Sequence, residues 1–407
     1  MSVRISPVGL RAILAILTVS LLMTCASATA QERVIYSFDL DGKDGYQPAA
    51  SVISDAAGNL YGTTYYGGSY GGSTGYGTVF ELTPKAGGGW TEKVLHSFND
   101  NGKDGYAPLG SLIFDGVGNL YGTTEFGGVY ASGTVYELTP KADGKWMEKV
   151  LHSFNGKDGY APFAGLTFDG SGNLYGTTYS GGAYGWGTVF ELTPKAGGGW
   201  MEKVLRSFNI NGNGGSFPQA GLVLDAAGNL FGAASDIVFE LTAKAGGGWT
   251  EKVLHTFKSK YGTFPDAKPI FDSTGNLYGT TYGGGAYGDG TVFELMPQAG
   301  GGWTEKTLHS FNGKDGNDCF AGLIFGVGGN PFGATKQGGA YDRGTVFELT
   351  PKAGGGWTEK ILHTFSDNGK DGVYPDGGVI SDAQGNLYGT TSYGGAHNGG
   401  TVFEIAP

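Results

Sequence analysis

The chain has 407 residues, 80 of them glycine, about one in five against a usual level of ~7%. Glycine does not recur every third residue and proline is only 15, which excludes collagen; 39% hydrophobic and 13% aromatic residues exclude a disordered chain. The formal charge of -11 argues against nucleic acid or anionic membrane as partner, because both require a basic surface.

The first predicted element is a targeting segment. Arg4 and Arg11 form a basic start, residues 12–23 an apolar stretch too short to span a bilayer comfortably, and Ala28-Thr29-Ala30 a small-x-small cleavage site before Gln31. Residues 1–30 therefore read as a signal peptide, and 31–407 as the mature domain, secreted, periplasmic or displayed on the cell surface. Two rival readings are a lipoprotein box at Leu22-Met23-Thr24-Cys25, where Thr24 suits the site poorly, and an uncleaved anchor. Cleavage at Ala30 leaves Cys319 as the lone cysteine, so no intramolecular disulfide is available. It also leaves 24 basic against 37 acidic residues, a mature charge of -13.

Everything after residue 33 is repeated. Gly-Asn-Leu-Tyr-Gly-Thr-Thr or a close variant occurs seven times, with its Asn at 59, 119, 173, 229, 276, 330 and 386. Gly-Thr-Val-Phe-Glu-Leu also occurs seven times, and Trp-Thr-Glu-Lys-Val-Leu-His-Ser-Phe six times in full. Each unit holds four short runs rich in aromatic and β-branched residues, bounded by Gly, Asn, Asp or Pro. In the third unit these are 164–169, 173–178, 187–194 and 200–208. Asp-x-x-Gly-Asn is a tight hairpin turn and Lys-Ala-Gly-Gly-Gly a five-residue hairpin loop. No stretch after the N-terminus carries a helical period. The expected fold is all-β, a seven-bladed propeller of four-stranded antiparallel blades. The last unit lacks its fourth strand, whereas residues 33–38 are a fourth strand without a unit. The N-terminal strand is therefore expected to complete the last blade and close the ring.

These strings, with Gly-Gly-x-Tyr-Gly-x-Gly-Thr-Val-Phe-Glu-Leu and Leu-His-Ser-Phe, resemble the GloVer (Gloeo–Verruco) tandem repeats over essentially all of 33–407. The resemblance implies an exported bacterial protein and no known activity. The family's C-terminal anchoring part is expected to be absent. Phe-Asp-x-x-Gly-Asn-Leu-Tyr also looks like the first hairpin of NHL-type and gluconolactonase-like propellers, which implies that the first strand is innermost.

Five of the six histidines, His96, His152, His255, His309 and His363, share one position in the fourth strand. Equivalent positions point outward around a disc and cannot converge on one ion, so they read as structural. The repeated Glu and Lys, twelve apart, fall opposite one another across the third hairpin and read as ion pairs. The loops after the fourth strand, with Asp39, Asp41 and Asp44, Asp100 and Asp104, and Asp367 and Asp371, are weak calcium candidates; Asx turns account for the same residues. Any metal is expected in these loops rather than at the histidines, and no other cofactor is implied.

In an up-and-down blade the fourth-to-first and second-to-third loops share a face. That face carries Tyr46, Tyr106 and Tyr160, with Tyr66, Phe126, Tyr184 and Tyr287, aromatics suited to sugar or peptide, or else to covering the inner strands. A single site is expected where units differ: Glu125, Trp186, Asp318, Cys319, Lys336, Asp342, Arg343 and His397, most of them in blades 6 and 7. Ligand contacts are expected at Tyr46, Tyr106, Tyr160, Tyr374, Lys336, Asp342, Arg343 and His397. Blade 4 has lost its second-to-third loop. No nucleophile elbow, phosphate loop or zinc signature occurs. The expected function is a monomeric module binding a glycan or protein at the cell surface. A polysaccharide hydrolase or lyase with a site in the funnel is one alternative, and a structural envelope protein the other.

Overall fold

The computed structural model describes residues 30–72, 74–211, 215–258 and 262–406; the signal-peptide and lipoprotein-box readings lie outside them, apart from Ala30. Seven four-stranded antiparallel sheets follow one another along the chain. In blade 3 the strands are Thr167–Phe168, Leu174–Thr178, Thr188–Pro194 and Trp200–Ser207, paired in that order. The other blades repeat this pattern, and the architecture is the expected seven-bladed propeller. Among the described residues no helix is long and apolar enough to cross a membrane.

The repeated letters each have a structural task. The glycine of Gly-Thr-Thr leaves room for the third-strand ring beside it: a Cβ on Gly62 would lie 2.5 Å from the tip of Phe80, and one on Gly389 2.5 Å from Phe403. The first threonine reaches the next blade, as when Thr123 donates to the carbonyl of Ala164 and Thr390 to that of Ala50. The second joins strands two and three within its blade, Thr64 Oγ1 lying 2.8 Å from Thr78 Oγ1. In the Asp-x-x-Gly-Asn turn, Asp55 accepts the backbone N–H groups of Ala57 and Asn59 and the amide of Asn59. The Glu and Lys residues do stand opposite, Glu137 facing Lys149 at 3.9 Å and Glu294 facing Lys306 at 3.8 Å.

The core lies between blades. The Phe at the end of each fourth strand packs against the third-strand aromatic of the next blade, edge-on at six interfaces and tilted between Phe257 and Phe293. Phe98 meets Tyr136 at 5.1 Å, Phe154 meets Phe190 at 5.0 Å, and Phe311 meets Phe347 at 5.2 Å. The series closes on itself, because Phe365 meets Phe403 and Phe38 meets Phe80 at 5.0 Å. The closing strand is Gln31–Asp39, paired antiparallel with Asn398–Ala406 from Gln31 opposite Ala406 to Asp39 opposite Asn398.

The innermost strands are shorter than the sequence suggests. Only Thr167–Phe168 pairs in blade 3, because the preceding residues run along the neighbouring blade: a Cβ on Gly165 would lie 2.7 Å from the carbonyl of Ser111. Blade 4 makes its expected tight turn, from Leu230–Ala234 directly into Ile237–Ala243, with Ser235 at φ 46°.

Candidate functional site

The two sets of loops do share a face, where they pair through short backbone bridges: Tyr46 with Tyr66, Tyr106 with Phe126, Tyr160 with Ser180 and Val373 with Tyr393. Tyr46 stacks on Tyr66 at 5.3 Å, and Tyr106 lies between Tyr76 and Phe126. These tyrosines are half-buried packing groups between rim and centre. Tyr374 departs from the set. Val373 occupies the position of Tyr46, so Tyr374 stands one residue further toward the centre.

Its position belongs to a ring of seven. Gln47, Ala107, Ala161, Phe217, Phe264, Asp318 and Tyr374 all have φ between 50° and 61°, a region non-glycine residues seldom occupy. The fold holds Gln47, Ala107, Ala161 and Tyr374 there by bonding to two sides. The N–H of Tyr374 donates to Arg343 in the preceding blade, and its carbonyl accepts from Ser392. Sevenfold repetition makes this conformation scaffold. Its consequence is that seven varied side chains stand immediately before the residues that line the central channel.

The channel encloses about 390 Å³. Small residues line it, among them Ala50, Gly110, Gly165 and Gly322, and so do Asp266, Lys268, Phe320 and Asp376. Burial pushes Asp266 up to about 6 and Lys268 down. The Lys268 ammonium, open to the channel but ringed by protein, donates to Thr167 Oγ1 at 3.1 Å. Lys336 pairs with Asp376 at 2.9 Å and lies over the Phe320 ring, while Asp376 also accepts from the hydroxyl of Ser392. Burial raises Asp318, opposed by a hydrogen bond from Tyr282 and by the charge of Lys336. On the other side of the mouth the groups are aromatic. Phe163 lies 4.9 Å from Tyr179, Tyr179 stacks on Phe217 at 4.8 Å, and Trp186 meets Phe217 at 4.9 Å.

Of the residues singled out in the sequence, Lys336 and Asp318 meet here, Trp186 packs on Phe217, and the Arg343 guanidinium lies 5.5 Å from the Tyr374 ring centre. Asp342 is an exposed brace that accepts the N–H of Gly338. His397 is exposed in the second-to-third loop of blade 7. Asp376, Asp266, Phe163, Tyr179 and Phe217 were not read from the sequence. A signal was present: the residue two after the ring position is Ala49, Leu109, Phe163, Gln219, Asp266, Phe320 and Asp376 in turn, a variable place among repeated neighbours.

At the rim the loop acids act separately. Asp39 and Asp41 accept backbone N–H groups two residues on, as Asx turns do; Asp100 and Asp367 are exposed. Among the described residues no three of these acids bring carboxylate oxygens within 4.8 Å of one another. The last acid of the loop turns back instead. Asp44 accepts from Tyr36 at 2.6 Å, and Asp104 and Asp371 each meet their strand histidine, His96 and His363, at 3.2 Å. A glutamate of the next blade faces each pair. Burial, the largest influence in every case, pushes Glu32, Glu92, Glu148, Glu202 and Glu359 up to about 7.

The model of the Gloeobacter/Verrucomicrobia repeat matches residues 69–238 and 236–407, nearly the whole propeller. The chain belongs to this repeat family. No curated protein matches it. Similar solved structures for this repeat protein include a catalytically inactive histidine-to-alanine form of virginiamycin B lyase from Staphylococcus aureus with quinupristin. It is 14% identical, with 93% of this chain and 99% of that one covered, at a TM-score of 0.55. The extracellular domain of the putative hybrid two-component system BT4673 from B. thetaiotaomicron matches at 11% identity and a TM-score of 0.57, over 92% of this chain and 39% of that one. A gluconolactonase from Xanthomonas campestris matches at 12% identity and a TM-score of 0.45, over 94% and 92%. At these identities the likeness is one of fold.

Proposed function

We propose that the repeat protein is an exported binding module, and that its ligand is a glycan taken up on the channel-mouth face. The observation that carries this is the unbroken aromatic series Phe163, Tyr179, Phe217 and Trp186 beside the polar group of Lys336, Asp376 and Asp318. Flat rings next to hydrogen-bonding groups suit the two sides of a sugar. The aromatic half lies over blades 3 and 4 and the charged half over blades 5 to 7, so the ligand spans more of the ring than the non-repeated residues of blades 6 and 7 alone suggest. A stack beyond simple area burial contributes ~0.5–1.5 kcal/mol, so a few rings support affinities around the millimolar range, for which ΔG is about -4 kcal/mol. Export rests on the pattern of residues 1–30. Among the described residues, none lining the channel is a histidine, which leaves a lyase reading based on the virginiamycin B lyase fold without support from the channel.

A glycan array probed with residues 31–407, followed by calorimetry on the best ligand, tests the proposal. Phe217→Ala and Tyr179→Ala should each weaken binding several-fold with the fold intact, and changes in the Lys-Ala-Gly-Gly-Gly loops should be silent. Absence of any glycan binding, or binding indifferent to both aromatic variants, would overturn it.

A further inference from the structure

The outward-pointing histidines cannot share one ion, but three of the five meet ligands of their own. We infer that three rim clefts, between blades 2 and 3, 5 and 6, and 6 and 7, each bind a divalent cation of the zinc class through one histidine and two carboxylates drawn from adjacent blades.

The three sets are His152, Asp158 and Glu202; His309, Asp315 and Glu359; and His363, Asp371 and Glu32. Within each, one donor atom from every residue lies within 4.8 Å of the others. The histidine ends a fourth strand, the aspartate sits in the loop that follows, and the glutamate comes from the fourth strand of the next blade. The donor set is one imidazole nitrogen and two carboxylate oxygens without a thiol. That set suits zinc and its neighbours; calcium prefers six to eight oxygens.

A second observation is independent of this grouping. His152 Nε2, Glu202 Oε1, His309 Nε2, Glu359 Oε1 and Glu32 Oε1 are all buried and have no hydrogen-bond partner. Buried polar atoms are ordinarily paired. His152 Nε2 and Asp158 Oδ2 are 3.3 Å apart, as are His309 Nε2 and Asp315 Oδ2, yet neither pair has hydrogen-bond geometry. Two ligands on one tetrahedral zinc with bonds of about 2.0 Å stand about 3.3 Å apart. Space outside the donors is available at one set, where a cleft of about 440 Å³ opens on Glu32, His363 and Asp371.

The remaining interfaces act as internal comparisons: Glu92, Glu148 and Glu251 Oε1 and His255 Nε2 there are also buried without a partner, but among the described residues no three donors close to ligand distance. Between blades 3 and 4 the loop aspartate is missing and Arg206 replaces the histidine, its guanidinium 2.8 Å from Glu251. A built-in cation thus occupies the place where the other clefts present two carboxylates and one imidazole. Between blades 7 and 1, Tyr36 replaces the histidine and donates to Asp44. Between blades 4 and 5, His255 has no loop aspartate and Glu305 accepts from Thr307. The set His96, Asp104 and Glu148 has the right composition but does not close to ligand distance. An ion in each of the three clefts would tie neighbouring blades together far from the channel.

The test is titration of chelator-treated residues 31–407 with zinc chloride in a non-coordinating buffer, by calorimetry and by thermal unfolding. The expected stoichiometry is three, with a rise in Tm that EDTA reverses and calcium does not reproduce. Glu202→Gln, Glu359→Gln and Glu32→Gln should each lower the stoichiometry to two, whereas His255→Ala should leave it at three. Cobalt substituted for zinc should give intense tetrahedral visible bands, lost in the triple glutamine variant; this readout applies to whatever variants fold. A stoichiometry of zero, one that the glutamine changes leave at three, or one that His255→Ala reduces would overturn the inference.

Discussion

Replacing Phe38 by Ala tests whether the seventh interface is energetically equal to the other six. Phe38 is fully buried and packs edge-on against Phe80 at 5.0 Å and Tyr36 at 4.9 Å. Phe311 has the same surroundings at an interface where the chain is continuous, fully buried and 5.2 Å from Phe347. Phe-to-Ala changes in a core cost ~3–5 kcal/mol, the lost transfer energy plus the cavity. At about 2.1 cal/mol/K per residue, unfolding of the mature domain has an entropy of roughly 0.8 kcal/mol/K, so that cost lowers Tm by about 4–6 °C. Differential scanning calorimetry of Phe38→Ala and Phe311→Ala should give equal shifts in this range. A shift below 1 °C for Phe38→Ala beside a full shift for Phe311→Ala would refute the reasoning, because it would mean that the ring does not depend on its seam.

Asp266 titrates at about 6 in the fold against an ordinary 3.8, owing to burial; the folded state therefore holds its proton longer, and stability falls as pH rises from about 4 to 6. Above that window the buried charge costs ~3 kcal/mol, so Asp266→Asn should raise the urea midpoint at pH 8 and leave it unchanged near pH 3.5. The Cys319 thiol is fully buried and pushed up to about 12; in residues 31–407 it should resist a thiol reagent in the native state and react as one equivalent in guanidinium. Gly62→Ala places a methyl 2.5 Å from Phe80 and 3.2 Å from Val52, and overpacking of this kind should lower stability by ~1–3 kcal/mol in denaturant titration.

The blade pattern was legible because it is periodic. Gly-Thr-Thr and Thr-Val-Phe-Glu-Leu recur with the same register in each sheet, and the offset ends pair as expected. What one unit cannot display is its contact with the next. The two-residue inner strands are short because Gly165 runs against Ser111 of the previous blade. Glu202 meets His152 only when two blades are side by side. The mouth was half legible: Lys336, Arg343 and Trp186 stand out as departures from the repeat, whereas Asp376 and Phe217 sit at positions that vary in every unit and so do not look like departures.

The closing strand differs from all six counterparts at Gln31, Arg33, Ile35 and Tyr36; Arg33, where they have lysine, pairs with Glu404, and Tyr36, where five have histidine, bonds to Asp44. Each other fourth strand finds its partner through a five-residue loop, a matter of nanoseconds to microseconds. Arg33 must find a partner 371 residues away. Six blades can therefore finish alone while the seventh waits with an open edge, and near-identical edges invite exchange between molecules. The strand that seals one ring is chemically able to seal another. Refolding yield should therefore fall as protein concentration rises, with strand-exchanged dimers as the by-product.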